Sequence, residues 1–113
     1  MFSQKDLKSI DRNYFIVKSA GCYGVTLQSK NTRHCWYIAN EDLGYFESCK
    51  IYHTHHEGTF MHEHGHGKTL QSCIRKIKSH DEYQLAKDAK KRRFARNRRR
   101  EALSEATELL TTM

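Results

Sequence analysis

Proline is absent from the 113 residues and glycine occurs only six times, which argues against long structured loops. No apolar run approaches the roughly 18 residues needed to cross a bilayer. The stretch from Met1 to Asp11 lacks the apolar segment of a secretory signal, so a cytoplasmic protein with no membrane partner is expected. Cys22, Cys35, Cys49 and Cys73 are each separated by more than ten residues. Without a Cys-x-x-Cys pair, neither a zinc ribbon nor a thioredoxin motif is present. Their even number allows two disulfides, but in a chain with no secretory signal reduced thiols are expected, several of them buried as small apolar residues. There is no internal repeat and no low-complexity linker. With 37% hydrophobic residues, the chain can bury one modest core.

What the sequence does have is a concentrated charge. The window Lys90-Lys91-Arg92-Arg93-Phe94-Ala95-Arg96-Asn97-Arg98-Arg99-Arg100 holds eight of the twenty Lys and Arg residues and no acidic one, and without it the net charge falls from +7 to −1. A nearly neutral body with one dense cationic segment is the distribution of a polyanion-binding protein.

Ser3 and Asp6 predict a helix N-cap, and Leu7 and Ile10 one apolar face, giving a short helix over residues 4 to 11. Strands are expected at Tyr14–Lys18, at Tyr23–Gln28 with Tyr23, Val25 and Leu27 on one side, at His34–Ile38, and from Phe46 to His55. Asn40 to Gly44 reads as a break between the last two. Glu57-Gly58 predicts a tight hairpin turn, with Gly65 and Gly67 ending its second arm. Thr69 can cap a helix that places Leu70, Cys73, Ile74 and Ile77 on one face, which would cover the sheet. Ser79-His80-Asp81-Glu82 matches a capping box, predicting a new helix from about His80 with Tyr83, Leu85 and Ala86 packed inward. From Lys87 to Glu101 only Phe94 is large and apolar, yet the stretch favours helix and cannot be buried. Leu103, Ala106, Leu109 and Leu110 restore a short apolar stripe, too short for a strong coiled coil, so a monomer or weak dimer is expected.

The segment from Asp88 to Ala106 resembles the arginine-rich RNA-binding peptides of lambdoid-phage N antitermination proteins. They share a small residue before a basic pair, an Arg-Arg pair, a further Arg cluster and a Glu/Ala-rich end. That resemblance implies a bent helix in the major groove of a small RNA hairpin, with Arg92, Arg93, Arg96, Arg98, Arg99 and Arg100 on the backbone and an apolar side chain on a loop base. The antitermination function itself is not carried over. Independently of the resemblance, helical spacing puts Arg92, Arg96, Arg99 and Arg100 on one face, with Arg93 and Arg98 read as flanking it. The nucleic-acid-binding set is therefore Lys90, Lys91, Arg92, Arg93, Arg96, Arg98, Arg99 and Arg100.

Six of the eight histidines fall within fourteen residues: His53, His55, His56, His62, His64 and His66. With a two-residue turn at Glu57-Gly58, His53 faces His62, and His53, His55, His62 and His64 share one side. Four such imidazoles suit zinc, nickel or copper, with Glu57 or Glu63 able to assist a metal-bound water. The plainer expectation is a solvent-exposed polar hairpin, no cofactor, and a cost below about 0.5 kcal/mol for changing His53 and His62 to Ala. Gly67-Lys68-Thr69 is not a phosphate-binding loop, because His62 stands where that motif needs glycine. The many tyrosines read mostly as packing residues, with sheet-face positions suited to stacking bases.

The expectation is an α+β protein: an antiparallel sheet of four or five strands with a short N-terminal helix, a covering helix and a long basic C-terminal helix. Residues 1–86 would form the body and 87–113 the basic extension. Its expected role is non-catalytic nucleic-acid binding, RNA before DNA, as a small regulatory protein of phage or mobile-element type acting in the host cytoplasm. One rival is an inhibitor or adaptor of a host nucleic-acid enzyme. The other is a metal-dependent nuclease built on the His hairpin.

Overall fold

The computed structural model describes residues 1–42, 47–56 and 58–111, without the side chains of Asp42 and residues 108–111. Their elements are α1 (Gln4–Lys8), β1 (Phe15–Ala20), β2 (Gly24–Ser29), β3 (Cys35–Asp42), β4 (Glu47–Thr54), β5 (His62–Gly67) and α2 (Leu70–Thr111). The strands form one antiparallel meander in the order β1-β2-β3-β4-β5. The fold is α+β, as the sequence predicts. Two compact units divide the chain, Met1–Asp81 and Glu82–Met113.

Local chemistry accounts for the element starts. The Ser3 hydroxyl accepts from the Asp6 N–H at 3.1 Å while the Asp6 carboxylate accepts from the Ser3 N–H at 2.9 Å, so two orphan helix donors are satisfied reciprocally. Thr69 and Ser72 make the equivalent exchange ahead of α2, with Ser72 N–H on Thr69 Oγ1 at 3.1 Å and Thr69 N–H on Ser72 Oγ at 3.3 Å.

The core of the first unit lies on one face of the sheet. Register aligns Val25 with Ile38 and Ile38 with Ile51, and all three are fully buried. Leu70, Cys73, Ile74 and Ile77 of α2 belong to the same core, together with Phe2, Ile10 and Phe15. The helical period predicted for that stripe is the one observed.

The structure departs from the sequence expectation at four places. Asn40 to Asp42 do not break β3, because Cys49, Ser48 and Glu47 pair with them across the ladder. The hairpin expected around Glu57-Gly58 closes as a longer connection, β4 ending at Thr54 and β5 starting at His62; Gly58 adopts φ +81°, a conformation glycine tolerates. Glu57, Tyr45 and the predicted strand start at Phe46 lie outside the described residues. No helix begins at His80: α2 runs through Ser79–Glu82, since the chain from Lys68 onward contains neither glycine nor proline and the Asp81 carboxylate is occupied elsewhere. Finally, Tyr83, Leu85 and Ala86 are exposed instead of packed inward. The second unit is a single helical segment with no other element in which to bury a face, and its half-buried pair, Gln84 and Asp88, bond to each other one turn apart at 3.1 Å.

Candidate functional site

Two groups of side chains carry chemistry, one in each unit. In the first unit, the inner sheet face changes character along the strands. The apolar row Val25–Ile38–Ile51 is followed by Leu27–Trp36–His53–His62, aligned by register across β2 to β5. Next comes Ser29, whose N–H donates to the His34 carbonyl at 3.0 Å, with the His55 ring stacked on His34 at 4.3 Å between centroids. Alternation therefore continues the core face as an imidazole face. Between the Ile51–Gly65 and Tyr52–Glu63 pairs the register slips by one residue, leaving His64 as the unpaired extra residue. Its ring reaches to 5.2 Å from His53 and 4.6 Å from His80.

The α2 stripe shows the same change. Three residues after Ile77 comes His80, followed by Asp81, which is fully buried. Asp81 accepts hydrogen bonds from Tyr14 Oη (2.7 Å), Ser29 Oγ (2.6 Å) and Thr32 Oγ1 (3.0 Å). Ser29 Oγ in turn accepts from the Trp36 indole N–H at 3.1 Å. This network fixes Trp36, on which the His53 ring stacks at 4.1 Å and 22°.

His34 is 7% exposed and His53 2%, and His53 Nε2 lies 2.9 Å from His34 Nδ1. His55, His62 and His64 form an exposed rim and His80 is half-buried. Burial, reinforced by the neighbouring His34, His80, His55 and His64, pushes the His53 pKa down to about 3. Burial is also the main cause lowering His64, with His80 and His62 adding to it. For His80, burial outweighs the opposing pull of Asp81. These three imidazoles are accordingly neutral at pH 7 and have nitrogen lone pairs to offer. Two triads bring ring nitrogens within 4.8 Å of one another: His34, His53 and His80, and His53, His62 and His64.

In the second unit, the eight cations from Lys90 to Arg100 are all exposed and none forms an ion pair among the described residues. Arg92, Arg93 and Arg96 group with Ala89 on one face. Lys87, Lys90, Lys91 and Arg98 surround Phe94 and Ala95 on another, where Phe94 is 59% exposed. Arg98 does not flank the Arg92–Arg96 face as the sequence reading had it. It sits four residues beyond Phe94 and seven beyond Lys91, spacings that return to the same side of an α-helix.

No protein-family model, curated protein or solved structure matches this chain.

Of the four hairpin histidines singled out in the sequence, His53, His62 and His64 converge, with His53 opposite His62 as expected. His55 joins them through its ring contacts with His34 and His53. The expectation of a wholly exposed polar hairpin fails at His53, which is buried because the Trp36–His53 pair lies on the core side of the sheet. His34, His80 and Asp81 were missed. Their signal was present: His34, the residue before β3, is two residues from Trp36 and so on the same side of the chain, and His80 continues the Leu70–Ile77 stripe. Reading Ser79 as a helix start cut that stripe short. Leu103 is 69% exposed and Ala106 is also exposed, while the side chains of Leu109 and Leu110 lie outside the described residues.

Proposed function

We propose that this chain is a non-catalytic nucleic-acid-binding protein, taking RNA in preference to DNA, and that residues 90–100 of α2 are its interface. The observation carrying the reading is that cations occupy both faces of an exposed helix with no acidic partner among the described residues. A flat acidic protein surface neutralises one face of a helix. A polyanion that closes around the helix, as a deep A-form groove or folded RNA loop does, neutralises both. Phe94, exposed among Lys90, Lys91 and Arg98, is placed to stack on an unpaired base, which RNA loops supply and duplex DNA does not.

The test is anisotropy titration of the full chain with a labelled RNA hairpin and with duplex DNA over a range of salt. Six neutralised phosphates give a slope of log K against log salt of about −4 to −5. Replacing Arg92, Arg93, Arg96, Arg98, Arg99 and Arg100 by Gln abolishes binding to both. Phe94→Ala weakens the hairpin complex by about 1–3 kcal/mol and leaves the duplex complex unchanged. Equal affinity of the six-fold variant and the parent at low salt refutes the proposal.

A further inference from the structure

We propose that His34, His53 and His80 form a binding site for one divalent first-row transition-metal ion of the zinc class, tying α2 to β4 and to the residue that leads into β3. The inference is independent of the nucleic-acid reading, since all three residues belong to the first unit. Each offers a ring nitrogen within 4.8 Å of the other two. Zinc–nitrogen bonds of about 2.0–2.1 Å in a tetrahedral site place neighbouring ligand nitrogens about 3.3 Å apart. The His34 Nδ1 to His53 Nε2 separation of 2.9 Å is already close to that, and the widest edge needs a contraction of at most about 1.5 Å.

The chemistry of the triad matches its geometry. His80 Nε2 is buried with no hydrogen-bond partner among the described residues, a costly arrangement that a metal bond relieves. Stacking on Trp36 holds His53 in place before any ion arrives. The His34–His53 hydrogen bond gives way on binding, the donor imidazole moving its proton to its other ring nitrogen so that both facing nitrogens offer lone pairs. The Asp81 carboxylate next to His80 in the chain lies buried under three hydroxyl donors. A buried carboxylate near a triad of imidazole ligands offsets part of a divalent charge. The other triad shares His53 but draws on the exposed His62 and His64, so it must lose more side-chain freedom to bind. Those two and His55 instead rim the inner site, where a water completes the coordination.

The experiment uses tag-free full-length protein stripped with chelator, titrated with Zn²⁺ by calorimetry and with Co²⁺ by visible absorption. Expected are about one equivalent of either ion, the intense d–d bands of a low-coordinate nitrogen site, and a melting temperature raised by metal. His80→Ala lowers affinity by more than about 100-fold, since even outer-shell partners are worth about 10–100-fold, and it removes the melting shift. His80→Gln, closer in size, carries the same expectation should the alanine variant fold poorly without metal. The His62→Ala/His64→Ala double variant retains the parent's affinity and spectrum. Failure of the parent to bind either ion, or parental affinity in a folded His80 variant, overturns the proposal. Loss of binding in the rim variant with retention in the His80 variant overturns it too, and assigns the ion to the outer triad.

Discussion

His53 pays for its charge twice, once in lost hydration and again in repulsion from surrounding imidazoles. Its pKa of about 3 in the folded chain lies below the ordinary value of 6.5, so the unfolded chain takes up this proton first as pH falls. In metal-free protein, the contribution of His53 to stability is therefore constant above about pH 6.5 and is lost progressively toward pH 3, at up to about 1.4 kcal/mol per pH unit. Urea denaturation over that range measures the slope, and His53→Gln reduces it. The cysteines divide by burial. Cys22 is exposed, Cys35, Cys49 and Cys73 are buried, and none of the four is in a disulfide. Burial raises the Cys49 pKa, and burial followed by the neighbouring Cys49 pushes Cys73 up to about 12. A thiol-exchange reagent should find one fast site in native protein, removed by Cys22→Ser, and the other three only after unfolding. Fast reaction of two or more thiols in the native state contradicts that assignment.

At the scale of elements, the segment of α2 from Leu70 to Asp81 is where sequence and structure inform each other most. Its apolar half was legible because Leu70, Cys73, Ile74 and Ile77 obey a single period, which burial of one helix face imposes. Its polar half was not. Ser79-x-x-Glu82 has the composition of a capping box, and a local pattern cannot reveal that Tyr14, Ser29 and Thr32, between 49 and 67 residues away in sequence, direct their hydroxyls at Asp81. Those long-range bonds make Asp81 a packing residue in spite of its charge. Asp81→Ala leaves the hydroxyls without their acceptor and should cost about 1–3 kcal/mol by chemical denaturation; Asp81→Asn, which keeps one acceptor oxygen, should recover part of it. A loss below about 0.5 kcal/mol, the range of ordinary surface changes, would show that the network is dispensable. The strands were legible for the reason that the apolar stripe was. Alternation and turn residues located the first four, and the register of His53 with His62 matches the count outward from Glu57-Gly58, although β5 starts only at His62 and runs through Gly65 to Gly67, the glycines expected to end it. The bulge at His64 left no comparable mark.

For the whole molecule, charge and core are partitioned: the core cluster draws its members from Phe2 to Ile77, and the cationic window lies in the other unit. The six-fold Arg→Gln variant should therefore unfold at nearly the parent's denaturant midpoint while losing its polyanion affinity, and a large drop in stability would make the basic helix a structural element instead. The charge window was plain in the sequence because eight cations in eleven residues need no fold to be noticed, whereas the imidazole cluster exists only after β3, β4, β5 and α2 are assembled. That assembly gives the chain an optical property. Trp36 is its one tryptophan, and its indole lies face to face with His53 and edge-on to His64 and His80. Intrinsic emission excited selectively through the indole thus comes from a single fluorophore at the centre of the histidines. Protonation of those rings, or arrival of a quenching ion such as Cu²⁺, can be followed by the dimming of that emission in the unlabelled, unmodified protein.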